Sequence, residues 1–165
     1  MTSNLLSFPN PVNETASRVV AGAVAAVAAI AILTQQPWLS AVLAYGFLAR
    51  LATGPSLSPL GQLATRIVAP RLSAHPKLVP GPPKRFAQGI GATITVSATL
   101  LTLVWHANVA TYALLGGLLV AASLESVFAL CIGCRLFTLL MRVGLIPPEV
   151  CVACSNVGVS GTPVS

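Results

Sequence analysis

The sequence predicts an all-α, polytopic membrane protein with four transmembrane helices and an amphipathic helix in a cytoplasmic loop. Composition is the first reason: only 7% of the 165 residues are charged and 55% are hydrophobic, whereas about 25% of an ordinary soluble domain is charged. These values exclude a soluble globule and a disordered chain. Four apolar stretches and the placement of the basic residues are the other two reasons. Residues 1–165 are predicted to form a single membrane domain.

The predicted spans occupy residues 18–34, 38–52, 86–105 and 109–130. Gln35, Gln36 and Pro37 separate the first two, and a proline interrupts a helix because it lacks a backbone donor and clashes with the preceding turn. These two stretches therefore form a helical hairpin, with one long helix through Pro37 as the alternative. The third stretch has no charged residue, and the fourth is interrupted only by Glu125.

The basic residues set the predicted orientation, because lysine and arginine stay on the cytoplasmic side of short loops. They precede span one, lie at or between the facing ends of spans two and three, and follow span four: Arg18, Arg50, Arg66, Arg71, Lys77, Lys84, Arg85, Arg135 and Arg142. Both termini are then cytoplasmic. This bias also explains the net charge of +6. Nucleic acid is not a predicted partner, because no recognition motif accompanies the scattered basic residues.

Residues 53–85 form the long inner loop of this arrangement. Ser58 and Pro59 are typical of a helix N-cap and a first helical position, and Pro70 would end the helix. Apolar residues recur between them at helical spacing: Leu60, Leu63, Ala64, Ile67 and Val68. The pattern predicts a short amphipathic helix on the inner membrane surface, where basic residues meet anionic headgroups. A platform for an acidic protein or an oxyanion is the alternative.

Small residues indicate close helix packing in two spans. Gly22 and Ala26 lie four positions apart in span one, and Ala87 and Gly91 do so in span three. In lipid, such pairs let helix backbones approach closely. We expect packing within one chain, with a homo-oligomer seam as the alternative.

All four cysteines lie in the predicted cytoplasmic tail, residues 131–165. Cys131, Cys134, Cys151 and Cys154 form two C-x-x-C pairs whose spacing matches four-thiolate zinc sites. A helix over residues 135–143 and a reversal at Gly144 would let the second pair fold back towards the first. The leading hypothesis is therefore a closed structural site for Zn²⁺ or another soft metal.

Thiol chemistry is the alternative use of these cysteines. The tail lies near the inner surface, where a reducing cytoplasm disfavours permanent disulfides. The pairs could exchange disulfides or transfer sulfur with a soluble thioredoxin-like or sulfurtransferase protein. Arg135 could lower the pKa of the neighbouring Cys134 thiol, but no N-cap residue is evident around Cys131. Purely structural cysteines are the remaining alternative.

Glu125 is the one acidic residue within an apolar stretch, and intramembrane carboxylates often contact protons or cations. It could serve a small transporter component, or it could be solvated at the interface. On an ideal helix it lies half a turn from Cys134, so the two are not expected to share a ligand sphere. The residues contain no recognisable catalytic constellation, and an enzymatic activity is not predicted.

Several segments resemble a family of small bacterial membrane proteins that is catalogued only as a domain of unknown function. They are FPNPVNETASR (8–18), YGFLAR (45–50), TGPSLSPLGQLATR (53–66), VPGPPKRFAQGIG (79–91) and LES (124–126), together with the two cysteine pairs. The resemblance implies a protein of the bacterial cytoplasmic membrane, in a family found in thiol or sulfur contexts. It assigns no catalytic residue.

Overall fold

The computed structural model of the chain describes residues 10–36, 38–54, 58–72 and 77–151. Two short strands and seven α-helices follow one another: β1 (Val12–Asn13), α1 (Glu14–Thr34), α2 (Trp38–Thr53), α3 (Pro59–Leu63), α4 (Ala69–Leu72), β2 (Leu78–Val79), α5 (Gly81–Leu103), α6 (Asn108–Phe128) and α7 (Ile132–Arg142). A π-helical turn, Ala64–Val68, joins α3 to α4, and a 3₁₀ turn, Pro148–Cys151, follows α7. The described chain is therefore almost entirely helical, as the composition predicts.

Helices α1 and α5 begin earlier than the sequence predicts. Asn13 caps α1 by accepting a hydrogen bond from the Ala16 amide at 3.3 Å, so α1 starts before residue 18. Helix α5 starts at Gly81 instead of residue 86, with two prolines in its first turn. Proline is favoured there because its missing N–H has no helical partner in any case. Lys84 consequently belongs to a helix and not to the loop.

The four long helices pack side by side as antiparallel neighbours, chiefly α1 with α6 and α2 with α5. A Cβ added to Gly22 would lie 2.8 Å from the Ser126 hydroxyl oxygen of α6. A Cβ on Gly91 would overlap the ring of Phe47 in α2. The prediction that small residues serve packing within the chain is confirmed at both positions.

Among the described residues, three helices are long and apolar enough to cross a membrane: Glu14–Thr34, Gly81–Leu103 and Asn108–Phe128. Helix α2 is apolar too, but its 16 residues fall just short of the range of about 17–25 residues for a span. The structure thus supports three candidate spans by length, where the sequence predicts four. The breaker between α1 and α2 begins at Gln35, which adopts a left-handed conformation with φ 52°, and Pro37 lies outside the described residues.

The described part of the loop between α2 and α5 packs on the bundle. Ser58 caps α3 by accepting a hydrogen bond from the Gly61 amide at 3.2 Å, as the sequence predicts. Contrary to the prediction, the helical segment continues through Pro70 to Leu72. It packs on α1 through a narrow face that includes buried Ala64, whereas Leu63 and Ile67 of the predicted stripe are exposed.

The strands tie the starts of two helices together. Val12 of β1 pairs with Val79 of β2 in antiparallel register. The Asn10 side chain also accepts a hydrogen bond from the Gly81 amide at 3.0 Å. The first turns of α1 and α5 are thereby held side by side, next to the end of α6.

Candidate thiol site at one end of the bundle

The chain turns sharply between α6 and α7, and the first cysteine pair lies at this turn. Helix α6 ends at Phe128, and Ala129 takes a left-handed conformation with φ 57°. Cys131 is the N-cap of α7: its Sγ accepts a hydrogen bond from the Cys134 amide at 3.3 Å. The expectation that Cys131 has no capping geometry is wrong, because the cysteine is itself the cap.

Helix α7 is held against the start of α5 by one close approach and one ring contact. A Cβ on Gly133 would lie 2.6 Å from Cβ and 2.7 Å from Cα of Ala87, so only glycine fits. The rings of Phe86 and Phe137 lie 5.6 Å apart between centroids, and Phe137 is buried. Gly133 therefore serves helix packing at the cysteine pair.

A buried ion pair lies beside the two thiols. Lys84 Nζ donates to Glu125 Oε1 at 2.6 Å and to Ser17 Oγ at 2.9 Å. The Lys84 and Glu125 side chains are only 11% and 20% exposed. Of the two alternatives for Glu125, the structure supports a carboxylate that faces the bundle interior. Its partner there is Lys84, which the sequence predicts to lie in the loop.

The turn at Ala129 also changes the relation of Glu125 to the cysteines. An ideal continuous helix would place Glu125 away from Cys134, but α6 ends before the pair and α7 has a separate axis. Glu125 and Lys84 both act electrostatically on the two thiols. The premise of one continuous helix is therefore wrong, whereas the expectation that Glu125 and the cysteine pair do not share a ligand sphere stays a prediction.

The pKa values of the two thiols are shifted in opposite directions. The side-chain hydrogen bond from Cys134 is the largest reason why the pKa of Cys131 lies below its ordinary value; Lys84 and the Cys134 amide act in the same direction, against burial and Glu125. The pKa of Cys134 is raised, first by the hydrogen bond it gives to Cys131 and then by burial. Cys131 is consequently the more acidic of the two thiols.

A cavity of about 290 Å³ reaches the pair, and both cysteines line it together with Lys84, Arg135 and Thr138. Cys131 is 8% exposed, so a reagent would approach its sulfur through this cavity. Arg135 is exposed and lines the same cavity. The buried cation that lowers the pKa of Cys131 is Lys84, where the sequence suggested Arg135.

The second cysteine pair is only partly described. Cys151 ends the 3₁₀ turn, is buried and is disulfide-bonded, whereas Cys131 and Cys134 are free thiols. Cys154 lies outside the described residues. Within the described ranges, no group of three or more histidine, cysteine, aspartate or glutamate side chains could hold a metal ion. The four-cysteine zinc site therefore stays a prediction.

Comparison with known proteins gives one match. The model of a protein family described as Domain of unknown function (DUF4395) matches residues 12–142. No curated protein and no solved structure matches the chain. The matched segment includes Cys131, Cys134, Lys84 and Glu125 and ends before Cys151.

Proposed function

Since the chain belongs to the DUF4395 family, a domain of unknown function, we propose from the geometry alone that Cys131 and Cys134 exchange disulfides with a thiol partner. The hydrogen bonds that Cys131 Sγ accepts at the N-terminus of α7 are the observation that carries this proposal. A helix N-terminus and a neighbouring cation are the features that stabilise a reactive thiolate. Both features are present at Cys131.

The exchange requires both cysteines in turn. The Cys131 thiolate attacks one sulfur of a partner disulfide, forming a mixed disulfide and releasing the other partner sulfur as a thiolate. Cys134 then loses its proton, its sulfur attacks Cys131, and the second partner sulfur leaves. Two electrons pass to the partner, and a Cys131–Cys134 disulfide forms. A soluble dithiol protein of the thioredoxin-like class returns the pair to the reduced state by the reverse steps.

Lys84 and Glu125 serve this chemistry as positioning residues. The ammonium group of Lys84 favours the Cys131 thiolate, while the Glu125 carboxylate opposes it. Glu125 and Ser17 hold Lys84 Nζ by hydrogen bonds at the end of the bundle. Beside the hydrogen bond from Cys134 and burial, these two charges contribute to how much of Cys131 is ionised at a given pH.

The proposal includes an orientation in the membrane. We place the cysteine end of the bundle at the cytoplasmic face of a bacterial inner membrane, with α2 as a fourth span and both termini inside. The arrangement of α2 as an antiparallel neighbour of α5 supports this, as does the basic residue bias. The partner would then be a soluble thioredoxin-like or sulfurtransferase protein.

A redox titration tests the proposal. The full-length protein in non-ionic detergent is equilibrated with graded ratios of reduced and oxidised dithiothreitol, and the cysteines are mapped by alkylation and peptide mass spectrometry. We expect Cys131 and Cys134 to oxidise together to one disulfide with a two-electron dependence. Two thiols that stay reduced across the whole series would contradict the proposal. Lys77→Met, at an exposed cation, is the control and should titrate like the parent.

Zinc binding is the second proposal, supported by the adjacent free thiols of Cys131 and Cys134 and by the four-cysteine spacing; it requires that the disulfide at Cys151 be reduced. Metal analysis after anaerobic purification distinguishes it, because a structural site retains zinc at one ion per chain. If the parent protein retains zinc and Cys131→Ser does not, zinc binding replaces disulfide exchange as the function of the pair. A transport role for Glu125 also stays a prediction, to be tested by the flux of candidate solutes in Glu125→Gln.

A further inference from the structure

Lys84 also lines a second cavity, whose described lining contains no cysteine, and we call it the arginine cavity. Its volume is about 250 Å³, and it lies between α1, α2, the loop segment and the start of α5. Six polar residues are among its lining: Asn13, Ser17, Arg50, Thr65, Lys84 and Gln88. Leu78, another lining residue, is more than half exposed, so the cavity reaches the surface.

Arg50 is the central feature of this cavity. It is only 6% exposed, yet its guanidinium contacts neutral groups alone in the described chain. Nε donates to Gln88 Oε1 at 3.1 Å, Nη1 donates to Ser58 Oγ at 3.4 Å, and the guanidinium carbon lies 4.7 Å from the centroid of the Phe47 ring. A buried charge that lacks an opposite charge is costly.

Glu125 acts on Arg50 electrostatically but forms no ion pair with it. Glu125 is engaged in the ion pair with Lys84, and no described carboxylate lies within ion-pair distance of Arg50. The two buried cations and one carboxylate thus leave a surplus positive charge at the cavity wall.

The guanidinium also has unused donors. It carries several N–H groups in a planar fork, and Nη2 has no hydrogen-bond acceptor among the described residues. Since no buried side-chain nitrogen or oxygen in this part of the chain lacks a partner, Nη2 is accessible. Because Arg50 lines the cavity, a ligand bound in the cavity could supply the missing acceptor.

We propose that the arginine cavity binds the phosphate group of an anionic ligand, with Arg50 as its principal contact. Arginine pairs with phosphate through two parallel hydrogen bonds, and the ligand would supply the missing negative charge. The volume is below the range of about 300–1,000 Å³ for drug-sized ligands, so the cavity suits a headgroup or a small ion. A phospholipid headgroup and free phosphate offer the same chemistry. This site is independent of the thiol exchange proposed above.

The experiment uses the full-length protein in a non-ionic maltoside detergent with two probes. One arm titrates inorganic phosphate by calorimetry; the other adds dioleoyl phosphatidylglycerol and counts retained lipids by native mass spectrometry. Binding in the first arm identifies free phosphate as the ligand, and binding in the second alone identifies a lipid headgroup. Binding in neither arm, or binding of acetate in place of phosphate, overturns the proposal.

Variants link the binding to Arg50. Arg50→Gln should weaken binding about tenfold or more, since a charge-assisted hydrogen bond is lost, and Arg50→Lys should weaken it because an ammonium group has no fork. Thr65→Leu keeps Arg50 but fills the cavity, so it should abolish binding even if Arg50→Gln fails to fold. Arg66→Gln removes the same charge from an exposed position and should bind like the parent. Equal loss in Arg66→Gln, or full binding by Thr65→Leu, overturns the proposal.

Discussion

Replacing Lys84 by methionine should destabilise the helix bundle through the carboxylate left behind. The change removes the hydrogen bonds of Nζ to Glu125 at 2.6 Å and to Ser17 at 2.9 Å. Breaking one side of a buried ion pair costs about 3–5 kcal/mol. Glu125 keeps one-fifth of its exposure and can be partly hydrated, so we expect the lower end, about 3 kcal/mol. Far-UV circular dichroism during SDS titration measures the free energy of unfolding.

A double-mutant cycle identifies the source of this loss. Lys84→Met with Glu125→Gln leaves neither charge, so the double variant should lose less than the sum of the single losses, by about 1–2 kcal/mol. Lys77 pairs with Glu14 at 3.2 Å, but the lysine is 78% exposed, and Lys77→Met should cost at most about 1 kcal/mol. The reasoning would be refuted if the two single losses of stability summed to the loss of the double variant within about 0.5 kcal/mol. It would also be refuted if Lys77→Met lost as much stability as Lys84→Met.

Two further predictions concern the position and the acidity of the cysteine pair. Gly133→Ala should lower the free energy of unfolding by about 1–3 kcal/mol because its Cβ would meet rigid atoms of Ala87. The control Gly116→Ala, with nothing within 4 Å of the added Cβ, should be neutral or slightly stabilising. Equal losses of stability in the same SDS titration would be evidence against the close approach. Because the pKa of Cys131 is lowered, its alkylation by iodoacetamide should reach half its maximal rate at a lower pH than that of an unperturbed cysteine thiol. Cys134→Ala removes the side-chain hydrogen bond to Cys131, keeps that of the backbone amide, and should move that midpoint upwards; an unchanged midpoint would exclude the side-chain hydrogen bond as the cause.

The sequence predicts the positions of the four long apolar helices because composition and period determine them, although only three of these helices are long enough to be candidate spans. The boundaries of α2 and α6 lie within two residues of the predicted spans. The start of α5 is missed because Pro82 and Pro83 were assigned to the loop, although proline is favoured in the first turn of a helix. That boundary decides whether Lys84 is a loop cation or part of the bundle.

The candidate site is predictable only in part. The spacing of the cysteines singles out Cys131 and Cys134, but the ion pair beside them joins positions 41 residues apart, and no local pattern connects such positions. Cysteine is also not among the residues that usually cap helices, so the role of Cys131 at the start of α7 leaves no sequence signal. Both features depend on how α5, α6 and α7 meet.

Trapping of a mixed disulfide is the most direct test of the proposed exchange. In a background with Cys151→Ser and Cys154→Ser, the protein is incubated with glutathione disulfide and analysed by intact and peptide mass spectrometry. With Cys134→Ser added, we expect one stable glutathione adduct on Cys131, because no second thiol can release it. With Cys134 present, the adduct should give way to a Cys131–Cys134 disulfide. An adduct that forms as readily on Cys134 in Cys131→Ser, or no adduct on either cysteine, would contradict the assignment of Cys131 as the attacking thiolate.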